Sequence, residues 1–134
     1  MKLVLTIDGN DFDTLEGFFD VVSRDVIPGV SWGRNLNAFN DILRGGFGTP
    51  DEGFVLRWVN SARSVERLGY PETVRQLQQG LESCYPRNFS ILENELAMAE
   101  SGVGPTIFDW LVEIIHRHGE DGDEAEDGVE LLLE

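Results

Sequence analysis

The sequence predicts an α/β protein built on a parallel β-sheet packed with helices. Three short apolar runs, near 2–8, 54–59 and 128–134, are separated by segments whose apolar residues recur with a helical period. The first two runs are joined by two predicted helices. A strand, helix, helix, strand order with connections this long requires parallel pairing, and such crossovers are right-handed.

The first strand and the first helix are predicted close to the N-terminal end of the chain. Residues 2–8 carry mostly apolar side chains on both faces of the strand. Asp13 is expected to cap a helix over 13–26, with Glu16 completing a capping box. We expect the apolar stripe of this helix in the core; its members are Leu15, Phe18, Phe19, Val22 and Val26.

A short helix over 35–44 separates apolar and polar residues most clearly. Asn35 is its expected N-cap, and Trp32 and Gly33 lie in the loop before it. At about 100° per residue, one side of the helix is apolar, with Leu36, Phe39, Ile42 and Leu43. The other side is polar, with Asn37, Asn40, Asp41 and Arg44. This composition is typical of a solvated face and equally of a recognition surface.

The second strand is the most apolar part of the chain. Residues 54–59 are apolar except at Arg57, which predicts a central strand covered on both edges and both faces. The preceding stretch, 45–50, is rich in glycine but lacks the Gly-Lys-Ser/Thr ending of a phosphate-binding loop. It is therefore predicted to be a flexible connection.

Between the second and third strands the pattern predicts a short helix over 61–68 and then a helical hairpin. The hairpin spans about 70–104 and has few apolar stripe residues, with breaks at 85–88 and after Gly102. We expect it to be peripheral and to serve packing; a second contact surface for a partner is the alternative. Cys84 is expected to be a small core residue.

The last helix and strand enclose a strongly acidic segment. Thr106 and Asp109 predict a capped helix whose buried stripe is Phe108, Leu111, Val112 and Ile115. A loop over 120–127 and a final strand over 129–134 follow. Residues 120–134 contain eight acids and neither lysine nor arginine, so the charge is polarised toward this part of the chain.

Composition limits the classes of partner. The 134 residues suit one domain spanning 1–134, and a net charge of −15 disfavours nucleic acid and anionic membranes while favouring a basic partner. The single cysteine fits a reducing compartment, and the apolar run at the N-terminus is too short for a secretory signal. These features lead us to expect a cytoplasmic protein with no membrane contact, which is a monomer when free.

Metal and catalytic motifs are poorly matched. His116 and His118 on one helix would point about 200° apart. The sequence Asp121-Gly122-Asp123 begins like a calcium loop, but Glu126 stands where that loop needs glycine. No nucleophile has a plausible base. We therefore expect no metal, no cofactor and no enzymatic activity, with an acidic enzyme left as a third alternative.

The run from Trp32 to Leu43 resembles the loop and second helix of the barstar family of intracellular ribonuclease inhibitors. In that family an aromatic-Gly-x-Asn-Leu-x-Ala-aromatic-x-Asp-x-Leu motif fills a nuclease active site, and the spacing here is unbroken. The resemblance covers most of 1–69 and 105–134, and it implies strand order 1-2-3. It also implies an antitoxin whose partner is a basic, barnase-like ribonuclease or a related nuclease toxin.

The same resemblance implies which residues bind the partner. They are Trp32, Gly33, Asn37, Asn40, Asp41 and Arg44, with Glu113 as the nearest candidate for a further helix glutamate. Three positions depart from the family pattern: Asn37 replaces an acid, Asn40 an aromatic residue, and Gly46 a tryptophan. A protein-interaction adaptor that keeps the scaffold without inhibiting a nuclease is the alternative function.

Overall fold

The computed structural model describes residues 2–50, 52–120 and 122–134. Its strands and helices alternate as the hydrophobic pattern predicts. They are β1 (Leu3–Asp8), α1 (Leu15–Asp25), α2 (Leu36–Arg44), β2 (Phe54–Val59), α3 (Ser61–Arg67), α4 (Tyr70–Ser83), α5 (Phe89–Glu100), α6 (Ile107–Arg117) and β3 (Glu130–Leu133).

The three strands form one parallel sheet in the order β1-β2-β3, which confirms the predicted fold class. The register places Leu5 beside Leu56 and Leu56 beside Leu131. Since β2 has a neighbour on each side, it occupies the central position that its apolar sequence predicts.

An aromatic cluster fills the space between the sheet and the helices. Trp58 of β2 is fully buried, and its ring stacks on Phe18 of α1 with centroids 5.4 Å apart. Phe18 also meets Phe39 of α2 edge-on at 5.2 Å. The indole nitrogen of Trp58 donates to Ser64 Oγ at 3.0 Å, so its polar atom is satisfied inside the core.

The other face of the sheet is not covered, so the prediction that β2 is covered on both faces was wrong. Along β2, buried residues alternate with partly or fully exposed ones. Arg57 is exposed and pairs with Glu134 at 2.8 Å, and Val4 of the neighbouring strand is 51% exposed. Val55 and Val59 made the run look apolar on both faces, but they lie on the outer face and are only half-buried. Valine is common in strands whether or not the face it occupies is covered.

The helix caps follow the sequence with one exception. Asn35 caps α2, and Thr106 with Asp109 forms the expected capping box of α6. The cap of α1 is Thr14, whose hydroxyl accepts from the Gly17 amide at 3.0 Å, and not Asp13. The carboxylate of Asp13 instead pairs with Arg63 at 2.6 Å. Both residue types are good caps, and the arginine captures the acid.

The first helix of the hairpin is tied into the interior. The buried carboxylate of Glu72 accepts from the Leu15 amide at 2.8 Å, and Thr73 Oγ1 accepts from the Ile107 amide at 2.9 Å. Two side chains of α4 therefore satisfy the N-terminal amides of α1 and α6. This arrangement replaces our expectation of a peripheral hairpin. Cys84 is half-buried at the end of α4, and so is not a core residue.

Candidate partner-binding site

The polar side of α2 is an exposed surface held on a rigid base. Its apolar side is buried, with Phe39, Ile42 and Leu43 each at most 3% exposed. Asn37, Asp41 and Arg44 are exposed on the opposite side, and Arg44 donates to the Asp41 carboxylate at 2.9 Å. The side chains of Asp41 and Arg44 are 55% and 49% exposed. The structure thus brings three of the predicted residues together in solvent.

Trp32 anchors the loop before α2 to the preceding helix. Its indole N–H donates to Ser23 Oγ at 2.6 Å, and its ring meets Phe19 edge-on at 5.5 Å. The side chain is half-buried, so it presents only part of its surface. Gly33 is exposed beside it, and an added Cβ would lie 3.3 Å from Ala38 Cβ. A side chain at this position would press on the first turn of α2.

Asn40 is placed differently from the other polar residues of α2. It is half-buried, and its Oδ1 lies 2.7 Å from Nε2 of the fully buried His118. The helical period correctly predicted that Asn40 lies on the polar side of α2. At this position, however, that side contacts His118 at the end of α6. Asn40 is therefore engaged within the chain, whereas Asn37 is exposed.

Glu113 lies on α6, apart from the cluster on α2. Its side chain is 64% exposed and pairs with Arg117 at 3.2 Å. It lines an open cavity of about 590 Å³ with the end of α6 and the strand β3, to which no residue of α2 contributes. The ion pair and the cavity therefore place Glu113 with residues of α6 and β3 and not with the predicted residues of α2.

The acidic loop, residues 120–127, reaches the polar side of α2 through one ion pair. Arg44 Nε donates to Glu124 Oε1 at 2.6 Å, so the guanidinium lies between Glu124 and Asp41. The hydrogen bond with Glu124 raises the pKa of Arg44, and the same bond lowers the pKa of the Glu124 carboxyl. Both groups are therefore charged at neutral pH, and the surface presents two carboxylates around one internal cation.

Sequence reasoning missed a second set of contacts made by the acidic loop. His118 Nδ1 lies 2.6 Å from Asp127 Oδ2, on the other edge of the ring from Asn40. Asn40 and His118 are 78 positions apart, so no local pattern links them. The sequence shows that Asn40 and His118 are polar, but it shows neither the burial of His118 nor the pairing of the two residues.

The ligand atoms of His118, Glu124 and Asp127 lie within 4.8 Å of one another, a spacing that a divalent cation can use. Both ring nitrogens of His118 already lie within hydrogen-bond distance of an oxygen, and Arg44 binds Glu124. An ion would have to displace one of these partners. The set therefore suits a hydrogen-bonded network better than a metal centre. Asp121, of the calcium-loop comparison, lies outside the described residues.

Within the described ranges, no helix combines the length and the apolar character needed to cross a membrane.

Comparison with family models matches residues 2–108 to the model described as Barstar (barnase inhibitor). The matched range includes the hairpin over 70–104, which the motif resemblance left out, and ends at the start of α6. Glu113 and the acidic loop lie beyond it. No curated protein matches the chain.

Proposed function

We propose that this protein inhibits a nuclease. The family match covers more than half of the chain, so the chain belongs to the barstar family of barnase inhibitors. The target is a barnase-like ribonuclease or a related nuclease toxin. The family consists of inhibitors and not of enzymes, so the proposed activity is binding alone. The protein would act as an antitoxin in the cytoplasm, where such a nuclease has to be restrained.

The observation that carries this proposal is the exposed polar face of α2 within the matched range. Asn37, Asp41 and Arg44 stand in solvent on a helix whose other side is fixed in the core. A surface that needs no rearrangement of its backbone loses little conformational entropy on binding. The rigid support of α2 therefore favours tight association through these side chains.

Inhibition is proposed to occur by occlusion of the active site. A ribonuclease holds the phosphates of RNA with cationic side chains, and Asp41 would occupy the position of a phosphate. Trp32 and Gly33 would cover the rim of that site, and Asn37 would add hydrogen bonds. Arg44, already bound to two carboxylates, would keep them oriented and limit their mutual repulsion.

Asn40 and Glu113 are proposed to contribute in other ways than the exposed residues of α2. Asn40 would act through its contact with His118 unless the partner displaces it, and Glu113 would reach the partner only at the edge of the interface. We also propose that residues 1–134 form one domain and that the hairpin over 70–104 is an addition to the family's fold. The free protein is proposed to be a monomer.

Capture of the partner from the native host separates this function from that of a non-inhibitory adaptor. The wild type and the Asp41→Ala variant would each be immobilised, and bound proteins identified by mass spectrometry and assayed for RNA hydrolysis. We expect a basic protein with nuclease activity to be retained by the wild type and lost by the variant. Retention of a protein without nuclease activity, equally by both, would support the adaptor instead.

A further inference from the structure

The buried His118 joins the acidic loop to α2. Its side chain is fully buried, with Asp127 Oδ2 2.6 Å from Nδ1 and Asn40 Oδ1 2.7 Å from Nε2. A carboxylate only accepts hydrogen bonds, so Nδ1 carries a proton. Asn40 Oδ1 accepts from Nε2 when that nitrogen carries a proton, and with the amide turned over its NH₂ group would donate to an unprotonated Nε2. The histidine is thus fully satisfied between two different parts of the chain.

Among the described residues, backbone hydrogen bonds join the acidic loop to α6, and none joins it to α2. The Glu124 amide donates to the Arg117 carbonyl at 2.8 Å, and the Val129 amide donates to the His118 carbonyl at 2.9 Å. The end of the loop also packs closely on the start of β2, since a Cβ at Gly53 would lie 2.2 Å from the Gly128 carbonyl oxygen. Glu124 of the loop contacts Arg44 of α2 through its side chain, and His118 at the end of α6 links Asp127 of the loop to Asn40 of α2.

The two side-chain contacts differ in strength. Arg44 and Glu124 are 49% and 29% exposed, so water and salt weaken their attraction. The contact of His118 with Asn40 is shielded, because the histidine has no exposed surface. A shielded hydrogen bond holds its geometry better than an exposed ion pair. His118 is therefore the principal fastening between the loop and α2.

We propose that His118 is a positioning residue that makes the acidic loop part of the partner-binding surface. It fixes Glu124 beside Asp41, so that both carboxylates face the same basic partner. This inference rests on the proposed function, and it extends the binding surface beyond the family-matched residues. Glu124 then slows dissociation of the complex, whereas a carboxylate on a loose loop would only speed encounter.

The first experiment measures amide hydrogen exchange in the free protein. His118→Gln should raise exchange about tenfold in the acidic loop and in the last turn of α2, because their opening is no longer opposed by the buried contact. His116→Gln is the matched control, since His116 is exposed on the same helix. Equal exchange in the two variants would overturn the proposal.

Two substitutions at Asp127 keep the test decisive if His118→Gln does not fold. Asp127→Asn retains an oxygen that accepts from Nδ1, so exchange in the loop should stay close to that of the wild type. Asp127→Ala removes that acceptor and should raise exchange in the loop and in the last turn of α2. Identical behaviour of the two variants would contradict the role of the hydrogen bond.

The second experiment measures dissociation from purified barnase. Glu124→Gln should speed dissociation at least about threefold in the wild type and much less in the His118→Gln background, because the loop there has lost its buried link to α2. An equal effect in both backgrounds would overturn the proposal. Failure of the wild type to bind barnase would instead count against the proposed function, and the exchange experiment alone would then decide whether His118 fastens the loop.

Thermal unfolding with and without zinc chloride tests whether His118, Glu124 and Asp127 bind a metal ion instead. If His118 is a positioning residue and not a metal ligand, zinc should leave the thermal midpoint of the wild type unchanged. A rise of the thermal midpoint in the wild type and in His116→Gln, but not in His118→Gln, would contradict the positioning role and indicate a metal site at His118.

Discussion

Removing the carboxylate of Glu72 is predicted to destabilise the protein although Glu72 is not one of the proposed binding residues. Glu72 accepts from the Leu15 amide at 2.8 Å, from Arg75 Nε at 2.6 Å and from Gln76 Nε2 at 3.1 Å. Its side chain is 5% exposed. Glu72→Gln keeps the shape and one accepting oxygen but presents an amide group to the arginine. The substitution therefore breaks the network without leaving a cavity.

The magnitude follows from the exposure of each donor. A hydrogen bond to a charged group contributes about 1.5–3 kcal/mol. Arg75 is 38% exposed and regains water when its partner is lost, whereas the Leu15 amide is buried at the start of α1. We therefore expect Glu72→Gln to cost about 1.5 kcal/mol and Glu72→Ala about 3 kcal/mol. For a chain of this size the former lowers the thermal midpoint by about 5–8 °C.

The pH dependence of this loss gives an independent check. Burial raises the pKa of Glu72, but the hydrogen bonds from Arg75, the Leu15 amide and Gln76 lower it by more, so the pKa lies below its ordinary value. The carboxylate then stabilises the folded state fully above its unfolded pKa, and that contribution is lost as pH falls through the folded pKa. The difference between the wild type and Glu72→Gln should shrink in acid.

Urea unfolding followed by tryptophan fluorescence at pH 7 and at pH 3.5 measures both effects. Glu82→Gln is the matched control, because Glu82 is exposed on the same helix. It should leave stability unchanged. If Glu72→Gln unfolded at the same urea concentration as this control, the hydrogen bond from the Leu15 amide to Glu72 would not stabilise the fold.

Three further outcomes are expected. Deleting 70–104 should abolish cooperative unfolding measured by circular dichroism, because the Leu15 and Ile107 amides lose the acceptors that Glu72 and Thr73 provide; a cooperative transition at the wild-type midpoint would show the hairpin to be dispensable. Gly53→Ala should destabilise the protein by more than about 2 kcal/mol in thermal melts, since its Cβ would clash with the Gly128 carbonyl oxygen, and a melt like that of the wild type would contradict this. Asp41→Ala should weaken barnase binding by at least about 2 kcal/mol by calorimetry, with Asp41→Asn losing most of that, whereas unchanged affinity would exclude Asp41 from the interface.

Local sequence signals predicted what depends on neighbouring residues. Asn35 and the period of α2 identified that helix, its cap and its buried side, because each depends on residues within two turns. The order of strands and helices along the chain identified the parallel sheet, because connections of this length exclude a tight antiparallel hairpin. These features required no knowledge of the packing between distant segments.

Features that depend on residues distant in the chain could not be predicted from the sequence. Thr14 and Asp13 are both suitable caps for α1, and the choice is made by Arg63, which captures the acid. The role of Asn40 depends on His118, and that of Glu72 on the Leu15 amide. Each of these links joins residues that are 50 or more positions apart. The helical period predicts the side of the helix on which a residue lies, but it does not predict which distant residue contacts that side.

The two glutamates of the acidic loop, Glu124 and Glu126, have different surroundings in the structure. Glu124 is held by Arg44 and lies 3.6 Å from His118, so it belongs to a fixed surface. Glu126 is exposed and remains a candidate for long-range attraction alone. Neutralising Glu126 should therefore lower the association rate and its salt dependence while leaving dissociation unchanged.

Titration of purified barnase with the wild-type protein, followed by RNA hydrolysis, tests the central claim most directly. Inhibition through the polar face of α2 predicts that nuclease activity falls to background close to one equivalent of inhibitor. The Asp41→Ala variant should require a larger excess, although its circular dichroism spectrum matches that of the wild type. Undiminished hydrolysis at a tenfold molar excess of the wild type would contradict the claim.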